Sequence, residues 1–137
     1  MTDCIFCKIA KKESPSSKIY ENDKVYAFLD INPINPGHTL VVPKKHYEHL
    51  EDVPDELLAE LIKAVKKITT AIREALGTDN FNLGLNNGKI AGQLVPHVHF
   101  HIMPRFENDG YEHWKGKPYK EGQMEQIQKS IAKYIKE

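Results

Sequence analysis

The sequence predicts an α+β fold in which an antiparallel sheet carries helices on one face. Short runs with strand-like alternation are joined by hairpin-length links, one long stretch has the helical period, and a second helical stretch closes the chain. Residues 24–30, with Val25, Tyr26, Phe28 and Leu29, form the first strand, and the following Asn32-Pro33-Ile34-Asn35-Pro36-Gly37 is turn chemistry. Residues 39–42 form a second strand, ended by Pro43. Over residues 55–76, Leu58, Leu61, Ile62, Val65, Ile68, Ile72 and Leu76 recur at i, i+3, i+4 intervals, with Pro54 before them and Gly77 after. Residues 80–85 make a third strand, 86–92 a loop with Gly88 and Gly92, and 97–103 a fourth strand. In 122–135, Met124, Ile127, Ile131, Ala132 and Ile135 share one side of a C-terminal helix.

One hundred and thirty-seven residues suit one domain spanning 1–137, with a core at 4–105 and a C-terminal extension at 106–137. Nineteen basic residues balance nineteen acidic ones, so no overall field draws the chain to nucleic acid or to a membrane. There is no long apolar run and no charged-then-apolar leader, so the expected location is the cytoplasm.

The densest chemistry lies in Gln93-Leu-Val-Pro-His-Val-His-Phe-His-Ile-Met-Pro-Arg105. His97, His99 and His101 alternate with Val98, Phe100 and Ile102, so on a strand the three rings share one face and the apolar residues turn inward. At about 3.3 Å per residue the outer two rings start roughly 13 Å apart, too far for one metal ion to take all three. Three of the chain's seven His within five residues of one face point instead to imidazole chemistry. A neutral ring attacks phosphorus or an acyl carbon without a separate base, and a second ring on that face donates to the phosphoryl or leaving group.

His97-Val-His-Phe-His-Ile-Met103 resembles the histidine triad (HIT) motif, His-φ-His-φ-His-φ-φ with φ apolar. The segments beginning at Tyr26, Pro36, Leu85 and Ala91 resemble the family's other signatures, in order. The resemblance implies a sheet of about five strands with a long central helix and a C-terminal helix, a homodimer, and a purine nucleotide (AMP-like) ligand. By the same resemblance His99 is the nucleophile at the α-phosphorus of a nucleoside phosphate, His101 contacts the phosphoryl oxygens, and His38 supports their network. Asn86, Gly92, Gln93 and Leu94 match the phosphate-binding loop, whose glycines let backbone N–H groups approach an anion. Asp30 matches the carboxylate that receives both ribose hydroxyls, while Phe28 and Ile31 line the base pocket. Leu94 stands where many members carry Ser or Thr, so no side-chain hydroxyl assists the departing group there.

Cys4-Ile5-Phe6-Cys7 admits three readings: half of a structural zinc site, a redox dithiol, or two core thiols. Nothing before Cys4 can form the strand a thioredoxin-like pair follows, so redox is the weakest. A subset of the resembled family completes a Cys2His2 site from a His after Pro-Lys-Lys and the first triad His, here His46 and His97. Such a closed site makes Zn2+ structural. His49 is the alternative ligand, and His113 reads as surface.

These expectations converge on a hydrolase or transferase acting on purine nucleoside phosphoramidates or adenylates through a nucleotidyl-histidine intermediate. Hydrolysis of dinucleoside polyphosphates is the near rival, since Pro104-Arg105 resembles that branch of the family. A zinc hydrolase using His-x-His ligands and a non-enzymatic nucleotide-binding protein are the other classes.

Overall fold

The computed structural model describes residues 3–136; Met1 and Thr2, where the predicted domain begins, and Glu137, its last residue, lie outside the described residues. The elements are α1 (Ile5–Ala10), β1 (Lys18–Glu21), β2 (Val25–Leu29), β3 (Thr39–Pro43), α2 (Asp55–Leu76), β4 (Phe81–Leu85), β5 (Phe100–Pro104) and α3 (Gln123–Lys133). The five strands form one sheet in the order β1-β2-β3-β5-β4, and every neighbouring pair is antiparallel.

Alternation along the central strands divides their side chains between two cores. Val25, Ala27, Val41, Val98, Phe100 and Ile102 meet Leu61, Ala64, Val65 and Ile68 of α2. Tyr26, Phe28, Leu40 and Val42 point the opposite way and are covered by Phe6, Cys7, Ile9 and Ala10 of α1. The expectation of helices on one face is therefore corrected, because β2 and β3 are buried at every position except the half-buried Leu29 and need cover on both sides. Six residues are too short for a helical period to show in sequence, and β1, an edge strand reading Lys-Ile-Tyr-Glu, carries too much charge to stand out.

α2 begins after Pro54 and ends at Gly77 in the left-handed conformation, with Asp55 and Glu56 in its first turn and Arg73 in its last, as the helix dipole favours. The triad segment departs from expectation at its start, where strand pairing begins at Phe100 rather than at His97. Pro96 has no N–H to offer a ladder, the His97 N–H turns back to the Val95 carbonyl, and the Val98 N–H reaches the Tyr47 carbonyl at 2.7 Å. Val98 still faces the α2 core, so the alternation of sides survives the loss of regular pairing. The histidine side is enclosed beneath α1, and His97 and His99 are both buried.

Candidate active site and metal centre

Each triad ring has a proton position dictated by a neighbour. The His99 Nδ1 lies 2.8 Å from the His97 carbonyl oxygen. A carbonyl only accepts, so Nδ1 carries the hydrogen and Nε2 keeps its lone pair. Burial lowers the pKa of His99, outweighing the opposite influence of that hydrogen bond and of the Asp30 charge. Phe6 packs edge-on to the ring at a centroid distance of 5.0 Å and holds its plane. The result is a neutral, oriented imidazole with an unprotonated Nε2.

A second chain of hydrogen bonds fixes His101. The Ile34 N–H donates to His38 Nδ1 at 3.0 Å, so in the neutral ring the hydrogen sits on Nε2. That Nε2–H donates to His101 Nδ1 at 2.9 Å, which leaves the His101 proton on Nε2. His101 Nε2 is buried and has no hydrogen-bond partner, alone in this among the described side chains. An orphaned buried donor is costly unless a ligand accepts from it. Burial pushes His101 down to about 4 and lowers His38 as well, so both rings are neutral at pH 7. Asp30 Oδ2 lies 3.7 Å from His38 Nε2, and its Oδ1 accepts from the Asn32 N–H at 2.8 Å, so Asp30 also shapes the turn it opens. Asp30, His38 and His101 are close enough to share an ion. The Ile34 donor opposes it, since it leaves His38 Nε2 protonated.

His99 and His101 open onto a cavity of about 330 Å³ that is also lined by Phe28, Asp30, Ile31, Gly92 and Leu94. Ile31 and Leu94 are largely in water, two apolar side chains at its rim. Asn86 lies beside Gly92, where an added Cβ would come within 3.6 Å of its amide nitrogen. Gln93 is engaged inside the loop: its Oε1 accepts from the Gly88 N–H at 2.8 Å and its Nε2 donates to the Glu48 carbonyl at 2.7 Å. Reasoning from sequence passes over Ile5, Phe6, Ile9, Leu40 and Val95, which also line the cavity. Leu40 and Val95 carry no local signal, and the others sit on the unrecognised α1.

Cys4, Cys7, His46 and His97 converge at the other end of the triad, with all four ligand atoms within 4.8 Å of one another. Nδ1 of His97 is 3.3 Å from Cys4 Sγ and 3.5 Å from Cys7 Sγ, and His46 Nδ1 is 3.4 Å from Cys7 Sγ. Ligand atoms on a tetrahedron at about 2.0–2.3 Å from zinc lie roughly 3.3–3.8 Å apart, so the donor set fits that ion. His97 Nε2 donates to the Pro43 carbonyl at 2.8 Å, which turns the Nδ1 lone pair toward the sulfurs. Burial raises the Cys7 thiol, with Cys4 adding to the effect, a penalty that a divalent cation at this point would offset. His49 lies outside the cluster, near Glu48 and Asp52, and His113 is exposed.

This five-stranded antiparallel sheet carries three alternating histidines on the segment that runs into β5, with a fourth packed behind them just before β3. Residues 11–108 match the HIT domain model, and the chain belongs to the HIT domain family. It is 41% identical over 136 residues to the adenosine 5'-monophosphoramidase of Schizosaccharomyces pombe, covering 97% of this chain and 98% of the relative. Among solved structures, a HIT family protein from Bacillus subtilis superposes with a TM-score of 0.90 at 42% identity, over 98% of this chain and 99% of that one. A Zn-bound histidine triad family protein from Mycobacterium smegmatis superposes with a TM-score of 0.77 at 35% identity, over 96% and 95% of the two chains. The chain is an enzyme of this family, a hydrolase.

Proposed function

We propose that this protein hydrolyses purine nucleoside phosphoramidates or adenylates at the α-phosphorus, through a covalent nucleotidyl intermediate on His99 Nε2. The observation that carries the reading is the hydrogen bond from His99 Nδ1 to the His97 carbonyl, which leaves Nε2 as the one free nucleophilic atom of a buried, neutral ring. The bond from Nε2 to phosphorus forms as the bond from phosphorus to the amine breaks, and the amine leaves with a proton from water. A second water then attacks phosphorus and gives its proton to the hydroxide left by the first, the P–N bond breaks with its electron pair returning to His99 Nε2, and the nucleoside monophosphate departs. The unsatisfied Nε2–H of His101 donates to a phosphoryl oxygen throughout; the Gly92 N–H is held by the Lys89 carbonyl, so Leu94, which lines the same cavity, is the residue of this pair whose backbone N–H is offered. Asp30 receives the ribose hydroxyls, and Phe28, Ile31 and the α1 residues enclose the base.

The cavity, about 330 Å³, sits at the low end of the roughly 300–1,000 Å³ usual for small-ligand sites. That supports one nucleotide per site over a dinucleoside polyphosphate. A zinc hydrolase built on His97 and His99 is disfavoured, since His97 groups with Cys4, Cys7 and His46 in a four-ligand cluster that leaves out His99. Zn2+ on Cys4, Cys7, His46 and His97 is structural in this reading; when bound, it supplies a fixed charge and holds α1 to the triad segment. The active species in this reading is a homodimer, carried over from the family resemblance, in the cytoplasm expected from the sequence.

The test is mass spectrometry of protein quenched during turnover of an adenosine phosphoramidate. An adenylyl adduct on His99 that is absent from His99→Ala is the expected outcome. Native turnover by His99→Ala, or turnover with no adduct under rapid quench, would overturn the reading.

A further inference from the structure

The proton that His101 offers to the pocket depends on a hydrogen bond made by a loop, because Ile34, whose N–H sets the His38 tautomer, has no regular secondary structure around it. The residue after it, Asn35, is tied on three sides. Its carbonyl accepts from the His38 N–H at 3.1 Å. Its side-chain amide donates to the Pro104 carbonyl and to Asp109 Oδ2, both at 2.9 Å. Asp109 is in turn a saturated carboxylate. It receives Nε and Nη2 of Arg105 at 2.7 and 3.0 Å and the backbone N–H groups of Phe106 and Tyr111, each at 3.1 Å. Arg105 follows β5 directly, so Asp109 is anchored to the strand that carries His101.

We propose that Asn35 and Asp109 are positioning residues for catalysis: they clamp the 32–38 loop to the end of β5 and so hold His38 and His101 in the Nε2–H tautomers. The physical reason is economy of alternatives. A neutral imidazole exchanges its proton between two nitrogens at small cost, so only a fixed donor at His38 Nδ1 keeps the relay pointing toward the pocket. With the loop free to move, the Ile34 N–H leaves His38 Nδ1, the proton redistributes, and His101 faces the phosphate with a lone pair in part of the molecules. The Asp109 side chain is 7% exposed beside Arg105, its one ion-pair partner among the described residues, and lies outside the cavity lining, so its saturation serves geometry.

The kinetic arm of the test rests on the proposed reaction, whereas the tautomer arm does not. Asn35→Ala and Asp109→Asn are each compared with the parent protein at pH 7.5 by nitrogen-15 imidazole spectra and by steady-state kinetics on an adenosine phosphoramidate. The expected result is Nε2–H tautomers for His38 and His101 in the parent and mixed tautomers in both variants. In kinetics, kcat falls about tenfold with KM within twofold, the pattern of a contact that matters in the transition state. Unchanged tautomers in the variants overturn the proposal, even where kcat or thermal stability falls, because that is what a merely structural clamp would give. If Asn35→Ala does not fold, Asp109→Asn and Asn35→Ser are read by the same spectra. A parent protein that fails to turn over sinks the reaction and leaves the tautomer comparison decisive here.

Discussion

Replacing Phe6 by alanine removes the side chain that joins three parts of the molecule. It is 6% exposed and packs edge-on to Phe28 at 5.4 Å, to His99 at 5.0 Å and to His97 at 5.9 Å. A buried Phe→Ala change costs about 3–5 kcal/mol, and the low end applies because one side of Phe6 borders an open cavity that water fills after truncation. A loss of about 3 kcal/mol is a factor of roughly 100 in the folded-to-unfolded ratio. Urea unfolding followed by circular dichroism reads it as a lower midpoint at unchanged slope. Adenosine monophosphate should also bind about tenfold more weakly, measured by calorimetry, since the His99 ring loses its edge contact and the pocket a wall. Phe6→Leu should recover most of the stability and less of the affinity. A stability loss under about 1 kcal/mol would refute the assignment of α1 as the cover of the second core.

His101 has a pKa of about 4 in the fold against 6.5 for the free side chain, so between those values the unfolded chain binds the extra proton. Stability is therefore complete above pH 6.5 and declines as the pH falls toward 4; urea midpoints across that range should fall less steeply in His101→Gln. Gly37→Ala should cost about 1–2 kcal/mol, because φ is +93° there. Its Cβ would also approach Leu76 Cδ1 at 2.5 Å, but that is the movable tip of a half-exposed side chain, so the cost measured by urea unfolding should persist in Leu76→Ala. Zinc should bind at one ion per chain by elemental analysis, and chelation should lower the melting temperature of the parent protein but not that of Cys7→Ser.

Residues 55–76 were legible as a helix to the residue, since seven apolar side chains at helical spacing, a proline start and a glycine stop all agree. β2, β3 and β4 were legible within a residue or so, for alternation and turn chemistry bound them. The side assignment of Val98, Phe100 and Ile102 also followed from alternation, although the strand itself starts three residues late. What stayed hidden depends on long-range contact. Nothing local to Cys4-Ile-Phe-Cys7 announces a short helix against the sheet, and the approach of His46 to Cys7 across 39 residues of chain was expected from the family resemblance alone. The roles of Asn35 and Asp109 were equally silent, being 74 positions apart.

The short α1 helix imposes an unusual constraint on how this pocket can diverge. Ile5 and Phe6, which touch the ligand cavity, are enclosed between two cysteines whose sulfurs both face His97. Adding or deleting one residue there would rotate the second sulfur by about 100° around the helix axis and pull the pair apart. Changes in what the cavity accepts must therefore come by exchanging side chains at a fixed chain length, and length variation is left to the outer rim around Ile31 and Leu94.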